Sequence, residues 1–134
     1  MRRLLAGLAL SGALAATAAA AATPTVGLPD CLGKLQVRPA SVVLTCADAN
    51  FAVRKLRWTG WGSAFAAGIG TAVVNDCTPT CVAGKYHDYR IVLIASGSQR
   101  CPTGRAYAQV TYAFIGRAPF PSTAADSVYP RRCR

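Results

Sequence analysis

The chain has no glutamate, one histidine and one methionine. Five aspartates are its entire acidic complement. Each shortage excludes something. With His87 as the single imidazole, a nuclease mechanism that uses two histidines is out. Paired acids for glycoside hydrolysis would have to come from Asp30, Asp48, Asp76, Asp88 and Asp126, and the first and last of these fall in irregular ends. No GxSxG elbow is present. Asp48, Asn50, Asn75 and Asp76 are oxygen donors in two loops, but they lack the spacing that gathers the six to eight oxygens calcium takes. They read as turn caps instead. There is no run of five positive charges, no internal repeat and no capped stripe of helical period.

What is present begins with an export signal. Arg2 and Arg3 precede an apolar stretch, Leu4 to Ala16, and then an alanine-rich segment, Thr17 to Ala22, with several small-x-small sites. This is the layout of a secretory signal peptide over residues 1–22, cleaved near Ala22. An uncleaved anchor competes with it, because the apolar run just reaches the ~20 residues that span a bilayer. Its alanine content drives insertion weakly. The paired arginines also suit twin-arginine export. Lipid attachment is set aside, since the acidic Asp30 precedes the first cysteine where a small residue is needed.

Removing the leader leaves roughly 112 residues, enough for one domain with one core. All six cysteines lie in that part: Cys31, Cys46, Cys77, Cys81, Cys101 and Cys133. An even number in an exported chain reads as three disulfides. It also leaves 13 basic residues against five aspartates, a net charge of about +8. One reading is an anionic partner such as nucleic acid, a phosphate-rich wall polymer or an anionic lipid surface. The other is base composition: 12 arginines against 3 lysines, with abundant alanine, is what a high-GC genome produces without selection.

Residues 23–36 carry two prolines before Cys31 and read as a flexible lead-in. Residues 37–116 read as one β domain. SVVLTC (Ser41 to Cys46) is β-branched, and ADAN (Ala47 to Asn50) is a turn. FAVRKLRW (Phe51 to Trp58) alternates imperfectly, as a strand with one buried face. Ala64 to Asp76 is a long small-residue strand, where Gly68 and Gly70 imply a bulge or a close backbone approach. Tyr86 to Ser96 is the clearest strand. Arg105 to Gly116 alternates, with Ala106, Ala108, Val110, Tyr112 and Phe114 on one face. Residues 117–134 read as an irregular tail, pinned at Cys133. The expected fold is all-β: a small disulfide-bonded antiparallel sandwich or partly open barrel, and a monomer.

The stretch NDCTPTC (Asn75 to Cys81) admits three readings. Zinc would take Cys77, Cys81 and His87 and need a fourth ligand from Asp76, Asp88 or another cysteine, and no second cysteine pair mirrors the first. A redox pair has two intervening residues rather than three, and opens a helix. A disulfide closing a proline turn meets the geometry most simply. For the other four cysteines, Cys46 with Cys101 and Cys31 with Cys133 is one pairing, and Cys31 with Cys46 is an equal alternative.

Two function classes follow. The first is a non-enzymatic binding module with no cofactor and no metal. Its ligand is an extracellular anionic component or a protein partner, an inhibited protease included. Trp61, Arg54 and Arg57 form a candidate binding face, because Trp58 and Trp61 would point to opposite sides of a strand. The CTPTC loop or SGSQRCPTG (Ser96 to Gly104) is its natural contact. The second class is a small secreted hydrolase using His87 with Asp76 or Asp88.

TCADAN (Thr45 to Asn50), WTGWG (Trp58 to Gly62), NDCTPTCVAGKYHDY (Asn75 to Tyr89) and YAQVTYAFIG (Tyr107 to Gly116) together resemble a family of small secreted proteins from high-GC Gram-positive bacteria, with the pattern TCADxN, WxxWG and NDCxPxCAxG. The resemblance covers about residues 37–116. Val82 stands where that family has alanine, and Cys31 and Cys133 lie outside the matched part. It implies secretion and a compact disulfide-bonded domain, and it identifies no catalytic residue.

Overall fold

The computed structural model describes residues 25–121 and 128–134. The leader reading, residues 1–22, lies outside them. Among the described residues there are ten strands and no helix: β1 (Val26–Pro29), β2 (Leu35–Gln36), β3 (Val42–Val43), β4 (Phe51–Thr59), β5 (Phe65–Asn75), β6 (Tyr86–Ser96), β7 (Gln99–Cys101), β8 (Gly104–Ala106), β9 (Gln109–Phe114) and β10 (Val128–Pro130). Six of them form one sheet in the order β10-β9-β6-β5-β4-β3, which curls into a half-barrel. The other four form a small sheet, β2-β1-β8-β7. The fold is all-β and disulfide-bonded, as expected.

Alternation explains the large sheet. Ala66, Ala72 and Val74 on β5, and Ile91, Leu93 and Ala95 on β6, point to the core with Phe51, Val53, Val110 and Tyr112. Burying a Leu or Ile fully contributes about 1.5–3 kcal/mol each. β4 breaks the period because it carries one extra residue. Arg54 pairs with Thr71, but Arg57 already pairs with Ile69. Lys55 absorbs the extra residue at φ 55°. The bulge returns Leu56 to the core face on which Phe51 and Val53 lie. Gly70 sits opposite, where a Cβ would come 2.8 Å from the Arg54 carbonyl oxygen. The close approach expected from the Gly68/Gly70 pair is therefore present, with the bulge on the facing strand.

Three expectations need correcting. The lead-in is ordered from Val26: β1 pairs with β8 in parallel and with β2 in antiparallel register, and Leu28 is buried. The sheets are thus not wholly antiparallel. The tail is not irregular throughout, because β10 pairs with β9 and Arg131 is 4% exposed. Finally, Arg105 to Gly116 is two strands in two sheets. The chain crosses at Tyr107 and Ala108, whose amides donate to Gly27 O and Ser96 O respectively. Tyr107, expected opposite the Val110 face, is only 2% exposed.

The disulfides are Cys31–Cys46, Cys77–Cys81 and Cys101–Cys133. The pairing of Cys46 with Cys101 and Cys31 with Cys133 does not occur, and the alternative joining Cys31 to Cys46 does. Cys31–Cys46 staples the β1–β2 turn to the β3–β4 loop. Cys101–Cys133 fastens the chain's end to β7.

Candidate functional site

Two places gather chemistry-bearing side chains, at opposite ends of the large sheet. The first is built on the CTPTC loop. Asn75, buried at the end of β5, organises it: its Nδ2 donates to Asn50 Oδ1 (3.0 Å) and Cys81 O (2.7 Å), and its Oδ1 accepts from Cys77 N (3.0 Å). Gly84 lies hard against this amide, with no room for a Cβ. Asp76 Oδ1 accepts from Thr78 N and Lys85 N, and its Oδ2 lies 2.9 Å from His87 Nε2. The His87 hydrogen bond and these two amides hold the Asp76 carboxyl down at about 2.

The structure therefore brings His87 to Asp76 but not to Asp88. Neighbours on a strand face opposite ways, and Asp88 instead accepts from Arg54 Nη2 at 2.6 Å. In a nucleophilic triad the imidazole contacts an acid on one side and a hydroxyl on the other. Among the described residues His87 has the acid. The nearby hydroxyls are engaged locally, with Thr78 Oγ1 donating to Asp76 O and Thr80 Oγ1 accepting from Ala83 N. Cys77 and Cys81 share a disulfide, so neither offers a thiolate to a metal. Asp48 accepts from the backbone and side chain of Asn50, which is the turn-capping role.

The second place is a cleft of about 870 Å³ between the β4–β5 turn and the small sheet. Two aromatic rings, Trp61 and Tyr107, line its floor, and Trp58 packs against Trp61 behind them. Trp61 stands edge-on between Trp58 (5.0 Å) and Tyr107 (5.3 Å). Every polar handle on these rings is held by backbone. Trp61 Nε1 donates to Val26 O, Trp58 Nε1 to Pro39 O and the Tyr107 hydroxyl to Ser63 O, while that hydroxyl accepts from Gly62 N. A Cβ at Gly68 would lie 2.9 Å from the Trp58 ring, so glycine is what lets the indole lie on β5. The expectation that the two tryptophans face opposite ways fails because Trp61 lies in the turn beyond the strand, free to fold back on Trp58.

Arg38 and Arg105 line the cleft, and among the described residues no carboxylate does. Arg105 Nη2 donates to Ser98 Oγ at 2.7 Å. Of the candidate binding trio, only Trp61 is in the cleft. Arg54 and Arg57 lie on β4, and Arg54 is paired with Asp88. Sequence reasoning missed Arg38, Arg105 and Tyr107. Arg105 and Tyr107 are brought in by the parallel pairing of Val26 with Arg105 and Gly27 with Ala106, two contacts between segments almost 80 residues apart, and Arg38 follows β2, which pairs with the other end of β1.

No family model, curated protein or solved structure matches this chain.

Proposed function

We propose that the protein is an extracellular, non-enzymatic binding module that takes an anionic ligand in the cleft walled by Arg38 and Arg105. One observation carries this reading. Two arginines and an aromatic floor share a concave surface on which, among the described residues, no carboxylate neutralises them. Guanidinium groups are the preferred partners of phosphate and carboxylate. The rings' polar atoms are already satisfied, so the floor is preorganised and offers apolar contact. Three disulfides are consistent with an oxidising, extracellular environment. Export through the 1–22 leader, and kinship with the secreted family that shares TCADxN and NDCxPxC, belong to the same proposal.

Soluble polyphosphate is a direct probe. Its binding quenches or shifts the fluorescence of Trp61 and weakens steeply with salt. Replacing Arg38 and Arg105 by Gln removes it. If the fluorescence response is absent, or survives both substitutions, the cleft is not an anion site.

A second reading keeps the His87–Asp76 contact as the acid–base half of a small hydrolase, with the hydroxyl supplied from elsewhere. His87→Ala separates the two. It abolishes any hydrolysis and leaves polyphosphate binding unchanged.

A further inference from the structure

Three of the aspartates gather at one end of the large sheet. Asp48 precedes β4, Asp76 follows β5 and Asp88 is the third residue of β6, so all three lie at the CTPTC end. The cleft lies at the other end, where β5 begins and β6 finishes. Those strands are 11 residues long. At ~3.3 Å per residue the two ends are roughly 35 Å apart. Asp88, eight residues from the far end of β6, is about 26 Å from it, so all three aspartates lie beyond the ~10 Å screening length at moderate salt and contribute little to the potential at the cleft. Each is also engaged locally, by Asn50, His87 and Arg54. Asp30, the remaining acid among the described residues, accepts from Leu32 N, Lys34 N and Gln36 Nε2 and does not line the cleft.

The cleft's rim carries a second, independent feature. Phe65 is 67% exposed and Val37 52%, and both line the same opening as Arg38 and Arg105. Ile69, also half exposed, follows Phe65 along β5. A soluble polyanion meets the arginines and leaves these apolar side chains in water. A surface that is anionic at headgroup level and apolar beneath it meets both.

We propose that the cleft end docks on an anionic phospholipid bilayer. Arg38 and Arg105 receive headgroup phosphates, while Phe65 and Val37 enter the interfacial zone. This rests on the anion-binding reading of the cleft and commits it to one source of phosphate. The bound molecule then stands with its CTPTC loop and its three aspartates pointing away from the negative surface, the orientation that like-charge repulsion favours.

The test is flotation with vesicles of phosphatidylcholine alone and vesicles that also carry phosphatidylglycerol, in parallel with polyphosphate titration. The expected result is salt-sensitive binding to the phosphatidylglycerol vesicles only. Phe65→Ser and Val37→Ser, both at exposed positions, weaken it by about tenfold together and leave polyphosphate affinity unchanged. Arg38→Gln with Arg105→Gln weakens both by about tenfold or more. Polyphosphate binding without vesicle binding overturns the bilayer proposal and leaves the anion site standing. Vesicle binding that ignores Phe65, Val37 and both arginines overturns it too. Loss of both ligands in the unaltered protein overturns the two readings together.

Discussion

The Tyr107 hydroxyl donates to Ser63 O at 3.0 Å and accepts from Gly62 N at 2.9 Å. One phenol thereby fastens the β4–β5 turn to the segment that links the two sheets, and it sets the floor of the cleft. Tyr107→Phe removes both bonds and leaves a part-buried amide and carbonyl unsatisfied. We expect a loss of about 1–3 kcal/mol, read as a lower urea midpoint at unchanged slope. Polyphosphate affinity should fall with it, because the turn that carries Trp61 is released. An unchanged midpoint would mean that the turn holds itself.

Gly70 faces the Lys55 bulge with no space for a side chain. Gly70→Ala should therefore destabilise by about 1–3 kcal/mol, since the Arg54 carbonyl cannot move without breaking the ladder. Gly62, where a Cβ meets nothing, is the contrast: its cost comes only from its φ of 93°. Thermal melts of the two variants rank them, and a milder effect at Gly70 than at Gly62 contradicts the bulge geometry.

The three disulfides differ in the chain they close. Cys101–Cys133 spans 32 residues, Cys31–Cys46 15 and Cys77–Cys81 only 4. In the chain-entropy account, removal costs about 4, 3 and 2 kcal/mol in that order. Paired Cys→Ser variants measured by denaturant melts test the ranking. The short ring should matter least to global stability, because the Asn75 and Asp76 side chains already hold the CTPTC loop through four hydrogen bonds to its backbone or that of Lys85, and Thr78 Oγ1 donates a fifth to Asp76 O.

Asp76 makes the acid limb of stability. Its carboxyl is held at about 2, below the ~3.9 of an unfolded chain. A depressed acid contributes stability that is complete above the unfolded value and is lost as pH falls from about 4 through about 2. Asp76→Asn should lower the melting temperature on the neutral plateau, change it little near pH 2, and so flatten the acid limb over that window. A variant that keeps the full acid dependence would assign it to other carboxylates. Asp30 and Asp48 are also lowered, by hydrogen bonds from nearby backbone amides and neighbouring side chains that outweigh their desolvation.

What the sequence made legible was local. Tyr86–Ser96 is the whole of β6, and Phe51 to Trp58 falls one residue short of β4, because long alternating or β-branched runs carry their own signal. The CTPTC staple followed from a four-residue spacing with a proline between. The imperfect period of FAVRKLRW was a bulge, visible as a parity fault once Gly70 is set opposite it. Of the strands of two to four residues, β3 was legible because it lies inside the β-branched SVVLTC, and β1, β2, β7 and β10 were not. β1, β8 and β10 exist through partners far along the chain, and Pro29 and Pro130 at their ends read as breakers. The cleft shares this cause. Arg38, Arg105 and Trp61 belong to three segments that meet around β1, through the β1–β2 and β1–β8 pairings and the Trp61 bond to Val26 O.

The most direct test compares two arginine pairs. Arg38→Gln with Arg105→Gln alters the cleft, and Arg54→Gln with Arg57→Gln alters β4, with the same loss of charge. Polyphosphate titration at moderate salt, followed by tryptophan fluorescence, reads both. The account predicts that the first pair loses affinity by about tenfold or more, while the second stays close to the unaltered protein. Equal losses from both pairs would mean that net charge alone binds anions, and would contradict a site in the cleft.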